Sequence, residues 1–286
     1  MYTADDITIL MSIYQGTKFN ELELAIDSVL GKQSVKIRHV VLVVDGYITD
    51  DVEHGLKCLI EKHLNIIQII RLAHNSGLAI ALNEGMKYIS TKLVARMDAD
   101  DISVYNRFEI QLKMLNTRDN LQLVGGAVDE FIDENDDKIS NVVRKMPIKG
   151  KEIKKFSKFR NPFNHPTVMF VKKTIDNVGG YRQLGQLEDY YLWLRVILNV
   201  ERVDLDGVAN TERILVHMRS GNDLYSRRGS YKYLKNVIYL KTWMLSKGIV
   251  NIFEYIFGII INSIVTLVPN KLRSYFYLKF LRVPNK

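Results

Sequence analysis

Residues 39–44 read His-Val-Val-Leu-Val-Val, a continuous β-branched run that stops at Asp45-Gly46. A strand with one wet face would alternate apolar and polar side chains; this one does not, so both of its faces must be covered. Neighbouring segments supply the cover. Asn20 with Glu23 three residues later reads as a capping box that opens a helix to about Leu30. A second helix starts at Asp50 and Asp51 and runs to about His63. A third, over 77–89, sets Leu78, Ala81, Leu82 and Met86 on one face. Residues 7–12, 66–72 and 93–97 are the other strands of this half. Such alternation with short connections predicts right-handed βαβ units and an α/β fold with a parallel sheet.

Beyond residue 104 the pattern loosens. A helix is expected over 104–116, short strands over 121–124 and 127–132, and a polar loop over 133–140. Basic, irregular sequence follows to about Arg160, then a strand (167–171), a helix (188–199) and a strand (213–217). From Gly229 onward only helices are expected.

Charge is unevenly spread. Residues 224–286 hold eleven Lys/Arg against one acid, Glu254, whereas residues 1–223 hold 29 basic and 31 acidic groups. The net charge of +8 therefore describes a cationic tail and not a nucleic-acid-binding body. One cysteine, Cys58, excludes an internal disulfide framework and a cysteine-based zinc site. The acidic N-terminus has no leader-like apolar core, which points to the cytoplasm.

In an open parallel sheet, ligands bind outside the carboxyl ends of the strands. Those ends carry Ser12 and Tyr14, then Asp45, then His74-Asn75-Ser76-Gly77, then Asp98-Ala99-Asp100-Asp101. Three carboxylates in four residues repel one another unless a cation or hydrogen bonds neutralise them. Hard oxygen ligands suit Mg²⁺ or Mn²⁺ shared with substrate phosphates. The bland alternative is a solvated turn in which Asp101 or Ser103 caps the next helix.

The segments Ile9-Leu10-Met11-Ser12-Ile13-Tyr14, Val43-Val44-Asp45-Gly46, Asn75-Ser76-Gly77-Leu78-Ala79 with Ala81-Leu82-Asn83-Glu84-Gly85, and Arg96-Met97-Asp98-Ala99-Asp100-Asp101 with Arg107 resemble glycosyltransferase family 2. So does Leu187-Glu188-Asp189-Tyr190-Tyr191-Leu192-Trp193-Leu194-Arg195. The resemblance is strongest to bacterial builders of O-antigen, capsule and amylovoran-type exopolysaccharide, and covers about residues 6–220. It implies a GT-A fold (a Rossmann-like, mostly parallel sheet), a UDP-sugar donor, an inverting transfer and a divalent Mn²⁺ or Mg²⁺. It places Asp45 at the nucleobase, Asp98 at the ribose or sugar and Asp100 on the metal. Ser12, Tyr14, Asn75 and Gly77 line the donor crevice. Arg96 contacts donor phosphate or sugar, or simply pairs with a neighbouring acid. Asp189 matches the base that deprotonates the acceptor, with Glu188 beside it; two acids at a helix start are also favourable in themselves.

His165, in Asn161-Pro162-Phe163-Asn164-His165-Pro166, and Trp193 are acceptor-side candidates, each with a structural alternative. His217 is a candidate metal or diphosphate contact, and Arg219, Arg227 and Arg228 lie on a lid-like stretch around 220–222. The segments around Gly179-Gly180-Tyr181 and Leu184-Gly185 are expected to be flexible.

The expected division is a catalytic domain over 1–220, with donor half 1–103 and acceptor half 104–220, and a basic helical tail over 221–286. Residues 249–268 are long enough to span a bilayer, but Glu254, Asn251 and Asn262 oppose it. The reading preferred here lays the tail on the anionic inner leaflet, as a peripheral protein beside an undecaprenyl-diphosphate-linked glycan acceptor. A spanning helix, a homodimer interface or a hairpin packed on the domain are the alternatives. Two rival functions remain: a sugar-phosphate nucleotidyltransferase, poorly matched by Tyr14-Gln15-Gly16-Thr17-Lys18, and a non-catalytic nucleotide-sugar scaffold.

Overall fold

A computed structural model gives the fold. It describes residues 1–134, 137–201, 204–220, 230–267 and 283–284, with backbone alone for 132–141, 265, 267 and 283–284. Strands β1 (Ile7–Ile13), β2 (Val40–Asp45), β3 (Ile67–Leu72) and β4 (Leu93–Arg96) alternate with helices α1 (Phe19–Leu30), α2 (Asp50–Lys62) and α3 (Leu78–Lys87). The four strands lie in the order β4-β1-β2-β3, all parallel.

Residues of β2 divide by parity, as strand pleating requires. Val40, Leu42 and Val44 join Leu22, Ile26, Val52 and Leu56 on one side of the sheet, together with Phe108 and Leu112. Val41 and Val43 join Ala81, Leu82 and Met86, with Leu192, Trp193 and Val196, on the other. The unbroken apolar run of β2 is thus a sheet interior covered twice.

The second half contains β5 (Ile102–Ser103), α4 (Arg107–Thr117), β6 (Leu123–Glu134), β7 (Asp137–Arg144), α5 (Gly150–Ser157), β8 (Met169–Val171), α6 (Lys172–Asn177), α7 (Glu188–Glu201) and β9 (Val208–Arg219). β8 docks antiparallel on β4 and β6, and β9 runs parallel to β6 and antiparallel to β5. The expected polar loop at 133–140 is instead the tip of the β6–β7 hairpin. The two short strands expected over 121–132 are one, and β9 begins at Val208, five residues before expectation. Register shifts near Gly126 and Ala127 let β9 carry the exposed Glu212 and Arg213 through a bulge, which masked its length in sequence. Helix α5 was hidden by its lysines, because only Gly150, Ile153 and Ser157 are buried.

Local details shift as well. α1 starts at Phe19, and Asn20 accepts from the Glu21 amide instead of capping. Leu78 is exposed, and Ala79 takes its place on the buried face of α3. α4 is capped by neither Asp101 nor Ser103: its N-cap position is Asn106, with no side-chain cap bond.

Helices Tyr231–Ser246 and Ile252–Leu267 form a hairpin docked on α7. Val237, Leu240, Met244, Ile249 and Val250 pack with Leu187, Tyr190, Tyr191 and Leu194. Glu254, awkward in a bilayer, pairs with Lys158 at 2.8 Å. The buried Lys241 amine donates to the Lys158 carbonyl at 2.6 Å, and burial, partly offset by Glu254, brings it down to about 8. No helix among the described residues is long and apolar enough to cross a membrane. Val283–Pro284 forms β10 on the edge of β7, where only helix was expected. The segment 272–281, read from sequence as interfacial, lies outside the described residues. Leu240→Ala should cost about 2–5 kcal/mol in denaturant unfolding, since it opens a cavity in the hairpin interface; an unchanged midpoint would mean that the hairpin does not dock.

Candidate active site

The four parallel strands bring their carboxyl ends to one edge, and β4 delivers the acidic turn there. Asp98, Asp100 and Asp101 each place one carboxylate oxygen within 4.8 Å of the others. Asp101 is 1% exposed; its Oδ1 accepts from the Arg219 amide at 2.8 Å, and its Oδ2 has no hydrogen-bond partner. Burial, then the charges of Asp98 and Asp100, hold its carboxyl well above the usual carboxylate range. Asp100 opens to solvent at the rim, yet the protein crowded around it and the Asp98 charge push it up to about 6. A buried, unsatisfied carboxylate oxygen facing two more carboxylates is a donor set that fits a hard divalent cation.

Behind the turn stand two arginines. Arg96, 2% exposed, forks both guanidinium nitrogens onto the Asp98 carboxylate, with Nη1 to Oδ2 at 2.5 Å. Burial alone would weaken its charge, but the Asp98 carboxylate outweighs that and raises it. The neighbour-pair alternative for Arg96 is therefore realised. Arg107, fully buried, donates to the Arg96 carbonyl at 2.7 Å and to Gln111 Oε1 at 3.2 Å. Burial, aided by the Arg96 charge, brings it down to about 9.

Asp45, 3% exposed, accepts the Ser76 amide at 2.7 Å on Oδ1 and the Gly77 amide at 2.9 Å on Oδ2. It fixes the β3–α3 loop that carries Asn75 and Gly77. Gly46 has φ +82°, and a Cβ there would sit 2.4 Å from the Asn75 nitrogen, so the two loops touch backbone to backbone. Ser12 is half-buried at the end of β1, and Tyr14 is exposed in a turn closed by Thr17.

The facing wall is built on α7. Asp189 Oδ2 accepts from Asn161 Nδ2 at 2.6 Å, and Oδ1 from the Tyr190 amide at 2.7 Å. Glu188 is half-buried, and burial pushes its carboxyl up. The expected flexibility around Gly179-Gly180-Tyr181 is not found. Asn83 binds both the Tyr181 carbonyl and amide at 2.8 Å, and Arg195 donates to the carbonyls of Val178 (2.6 Å) and Gly180 (2.7 Å). This lock presents the Tyr181 hydroxyl to His165 Nε2 at 3.0 Å. Burial, then the Arg96 charge, hold His165 well below its ordinary value, so it is neutral at pH 7. Burial pushes the Tyr181 hydroxyl up, and its ionisation is sensitive to Arg96, Asp189 and Asp98. The Tyr181 hydroxyl thus lies within reach of the charges of both Asp98 and Asp189.

Trp193 does not reach the crevice. It is 0% exposed and packs at 5.7 Å from Phe163 and 6.0 Å from His165, so it supports the pair and offers no face to a sugar. His217 lies opposite Ile102 in the β5–β9 ladder, but it is not among the clustered oxygen ligands; its Nδ1 meets Asp129 Oδ2 at 3.2 Å. Arg219 does reach the turn, through its amide and through Nε to the Asp100 carbonyl at 3.1 Å. Arg227 and Arg228 lie outside the described residues. Sequence reasoning offered Asn161 only as one polar group of the acceptor-side turn and gave Tyr181 no role, although the Gly-Gly doublet before Tyr181 marked a backbone needing positive φ (+77° and +64°).

The profile described as "Glycosyl transferase family 2" matches residues 8–179. The chain belongs to glycosyltransferase family 2. It is 30% identical to the amylovoran biosynthesis glycosyltransferase AmsE of Erwinia amylovora, over 95% of this chain and 98% of that one. It is 33% identical to the UDP-Gal:alpha-D-GlcNAc-diphosphoundecaprenol beta-1,3-galactosyltransferase of Escherichia coli, over 96% of each. The fold is that of S. aureus TarS 1–349 in complex with UDP-GlcNAc (TM-score 0.60, 14% identity, 84% of this chain and 66% of that one). It is equally that of the mannosyltransferase PcManGT from Pyrobaculum calidifontis in complex with GDP-Man and Mn²⁺ (TM-score 0.61, 13% identity, 95% and 72%). The family 2 chain therefore has a GT-A fold and is a glycosyltransferase of polysaccharide biosynthesis.

The raised carboxyls give this glycosyltransferase a pH signature. A group whose folded value lies above its unfolded one loses stability for the fold as pH rises from near 4 through about 6. A divalent cation needs those carboxylates ionised, so its effect runs the other way. At saturating Mn²⁺ the melting temperature should rise by about 5 °C at pH 7.5, and by far less at pH 5. A shift that is equal or larger at pH 5 would show that the acidic turn is not the binding site.

Proposed function

We propose that this enzyme transfers a hexose or N-acetylhexosamine of galactose or glucose type from a UDP-sugar. The acceptor is a hydroxyl of an undecaprenyl-diphosphate-linked glycan, and the anomeric centre is inverted. The observation that carries this reading is the carboxylate cluster of Asp98, Asp100 and Asp101 at the end of β4, with one buried oxygen unmet. Support for a lipid-linked acceptor and a galactosyl donor comes from the Escherichia coli relative, whose name carries both.

In this reading residues 1–103 hold the donor. Asp45 orders the loop at the nucleobase end, with Ser12, Tyr14, Asn75 and Gly77 lining it, and Asp98 with Arg96 meets the ribose or sugar. Asp100, with Asp101 behind it, would hold Mn²⁺ or Mg²⁺, which when bound neutralises charge on the leaving diphosphate. His217, whose Nδ1 meets Asp129, stands outside the carboxylate cluster and is given no ligand role. Residues 104–220 hold the acceptor. Asp189, oriented by Asn161, takes the acceptor proton as the hydroxyl attacks opposite the leaving group, with Glu188 and His165 beside it. Neutral His165 can share its hydrogen bond with Tyr181 without competing for that proton.

The docked hairpin would meet the inner leaflet. Phe253 (80% exposed), Ile256, Phe257, Ile260 and Ile264 form an open apolar stripe on its second helix. The basic excess of residues 224–286 favours an anionic surface over a second, equally cationic copy.

Asp189→Asn should keep UDP-sugar binding and lower transfer by about 10²–10⁴-fold in a radiolabelled assay; near-normal turnover would remove Asp189 as the base. Phe253→Ser/Phe257→Ser should release the protein from anionic vesicles in a flotation assay, and undiminished flotation would refute the membrane contact.

A further inference from the structure

A second polar feature adjoins the crevice and is not used above. Between the segment after Tyr181, helix α7 and helix Tyr231–Ser246 runs a groove lined by Arg182, Gln183, Tyr191, Lys235, Asn236 and Tyr239. Both cations are solvent-exposed, and neither forms an ion pair among the described residues. No carboxylate lines the groove. Two unneutralised cations, two amides and a tyrosine hydroxyl in one concavity are a donor set for a multiply charged oxyanion.

The groove is anchored at fixed points. Arg182 follows the locked Tyr181 and lies over the Tyr191 ring at 5.9 Å. Gln183 donates to the Ser76 carbonyl at 2.9 Å, and so touches the loop that Asp45 holds. Tyr191 follows Asp189 by two residues on α7 and meets Trp243 at 4.8 Å and Tyr239 at 6.4 Å, both on the tail hairpin. Through Gln183 one end abuts the Ser76 loop of the crevice. Through Tyr191 the other abuts the hairpin, whose next helix carries the exposed stripe of Phe253 and Phe257. A cationic groove that joins the crevice loop to a helix pair bearing an apolar stripe suits an amphiphile whose phosphate lies between its sugar and its chain.

We propose that this groove binds the diphosphate of the lipid-linked acceptor, with Arg182 and Lys235 as its charged ligands. The inference rests on the acceptor reading given under the proposed function. It assigns to the acceptor a diphosphate site separate from the acidic turn, where the donor diphosphate and its cation belong. The site would fix the distance from the lipid anchor to the attacking hydroxyl, which makes it a selector for diphosphate-borne glycans.

The test uses the full chain in detergent, the UDP-sugar that supports transfer, and one acceptor sugar joined to one alkyl chain by a diphosphate, a monophosphate or an uncharged ether. The wild-type enzyme should favour the diphosphate. Arg182→Gln and Lys235→Gln should each raise KM for the diphosphate acceptor by about tenfold, and so collapse the ratio of neutral to diphosphate KM towards one. Arg182→Lys should restore part of that ratio. An unchanged ratio, or a rise in donor KM in place of acceptor KM, overturns the subsite. Equal use of the neutral and diphosphate acceptors by wild type overturns it too, while leaving the transferase reading intact. Donor binding with no transfer to any of the three overturns the acceptor reading, and the subsite with it.

Discussion

A guanidinium taken out of water needs partners for its charge, and β4 and α4 each bury one; Arg96 meets that need through its two terminal nitrogens while its Nε has no hydrogen-bond partner. Arg96 spends its charge on Asp98, which holds that carboxylate against the sheet edge. Arg107 reaches back to the Arg96 carbonyl and is itself held by Gln111, whose amide donates to Thr167 and Val124 carbonyls. Through these contacts one pair of arginines ties the end of β4 to α4, β6 and the turn before β8. Burial, with the Arg96 charge adding to it, keeps His165 neutral. Asp100 and Asp101 are left with too little compensation, and that imbalance is what a divalent cation can relieve.

The facing wall follows a different logic, in which backbone and not charge is fixed. Two left-handed glycines turn the chain at 179–180, and Asn83 closes on Tyr181 from α3 while Arg195 gathers the preceding carbonyls from α7. A Cβ on Gly180 would stand 2.6 Å from Asn83 Oδ1, so the turn has room for no side chain. Asn83 of α3 and Arg195 of α7 thus fix the turn that carries one tyrosine. Rigid support of this kind keeps an acid and its substrate in register without relying on loop mobility.

Legibility in the sequence tracks how local the cause was. The β2 run and the helices around it were readable because parity and helical spacing are local rules, and the acidic turn was readable because three carboxylates announce their own repulsion. β9 and α5 were not, since a bulge put charged residues in mid-strand and lysines covered a short helix. Trp193 was misplaced for a related reason: helical spacing puts it on the face of Asp189, but the depth of α7 in the core hides its ring. The tail read as a membrane segment because its apolar residues outnumber what one face needs. The docked hairpin buries one face of it, through Leu240 and Met244, and leaves the other bare.

By itself the sequence determined the α/β class, the alternation of parallel strands with covering helices and the acids at the strands' carboxyl ends. Those follow from hydrophobic periodicity and from residue chemistry, which need no knowledge of distant neighbours. Only the tertiary structure decided that Arg96 belongs to Asp98, that Asp101 is buried with one oxygen unmet, and that the Tyr181 hydroxyl meets His165. Each joins residues that are far apart in sequence or depends on how deeply a site is desolvated, and desolvation is a property of the assembled core.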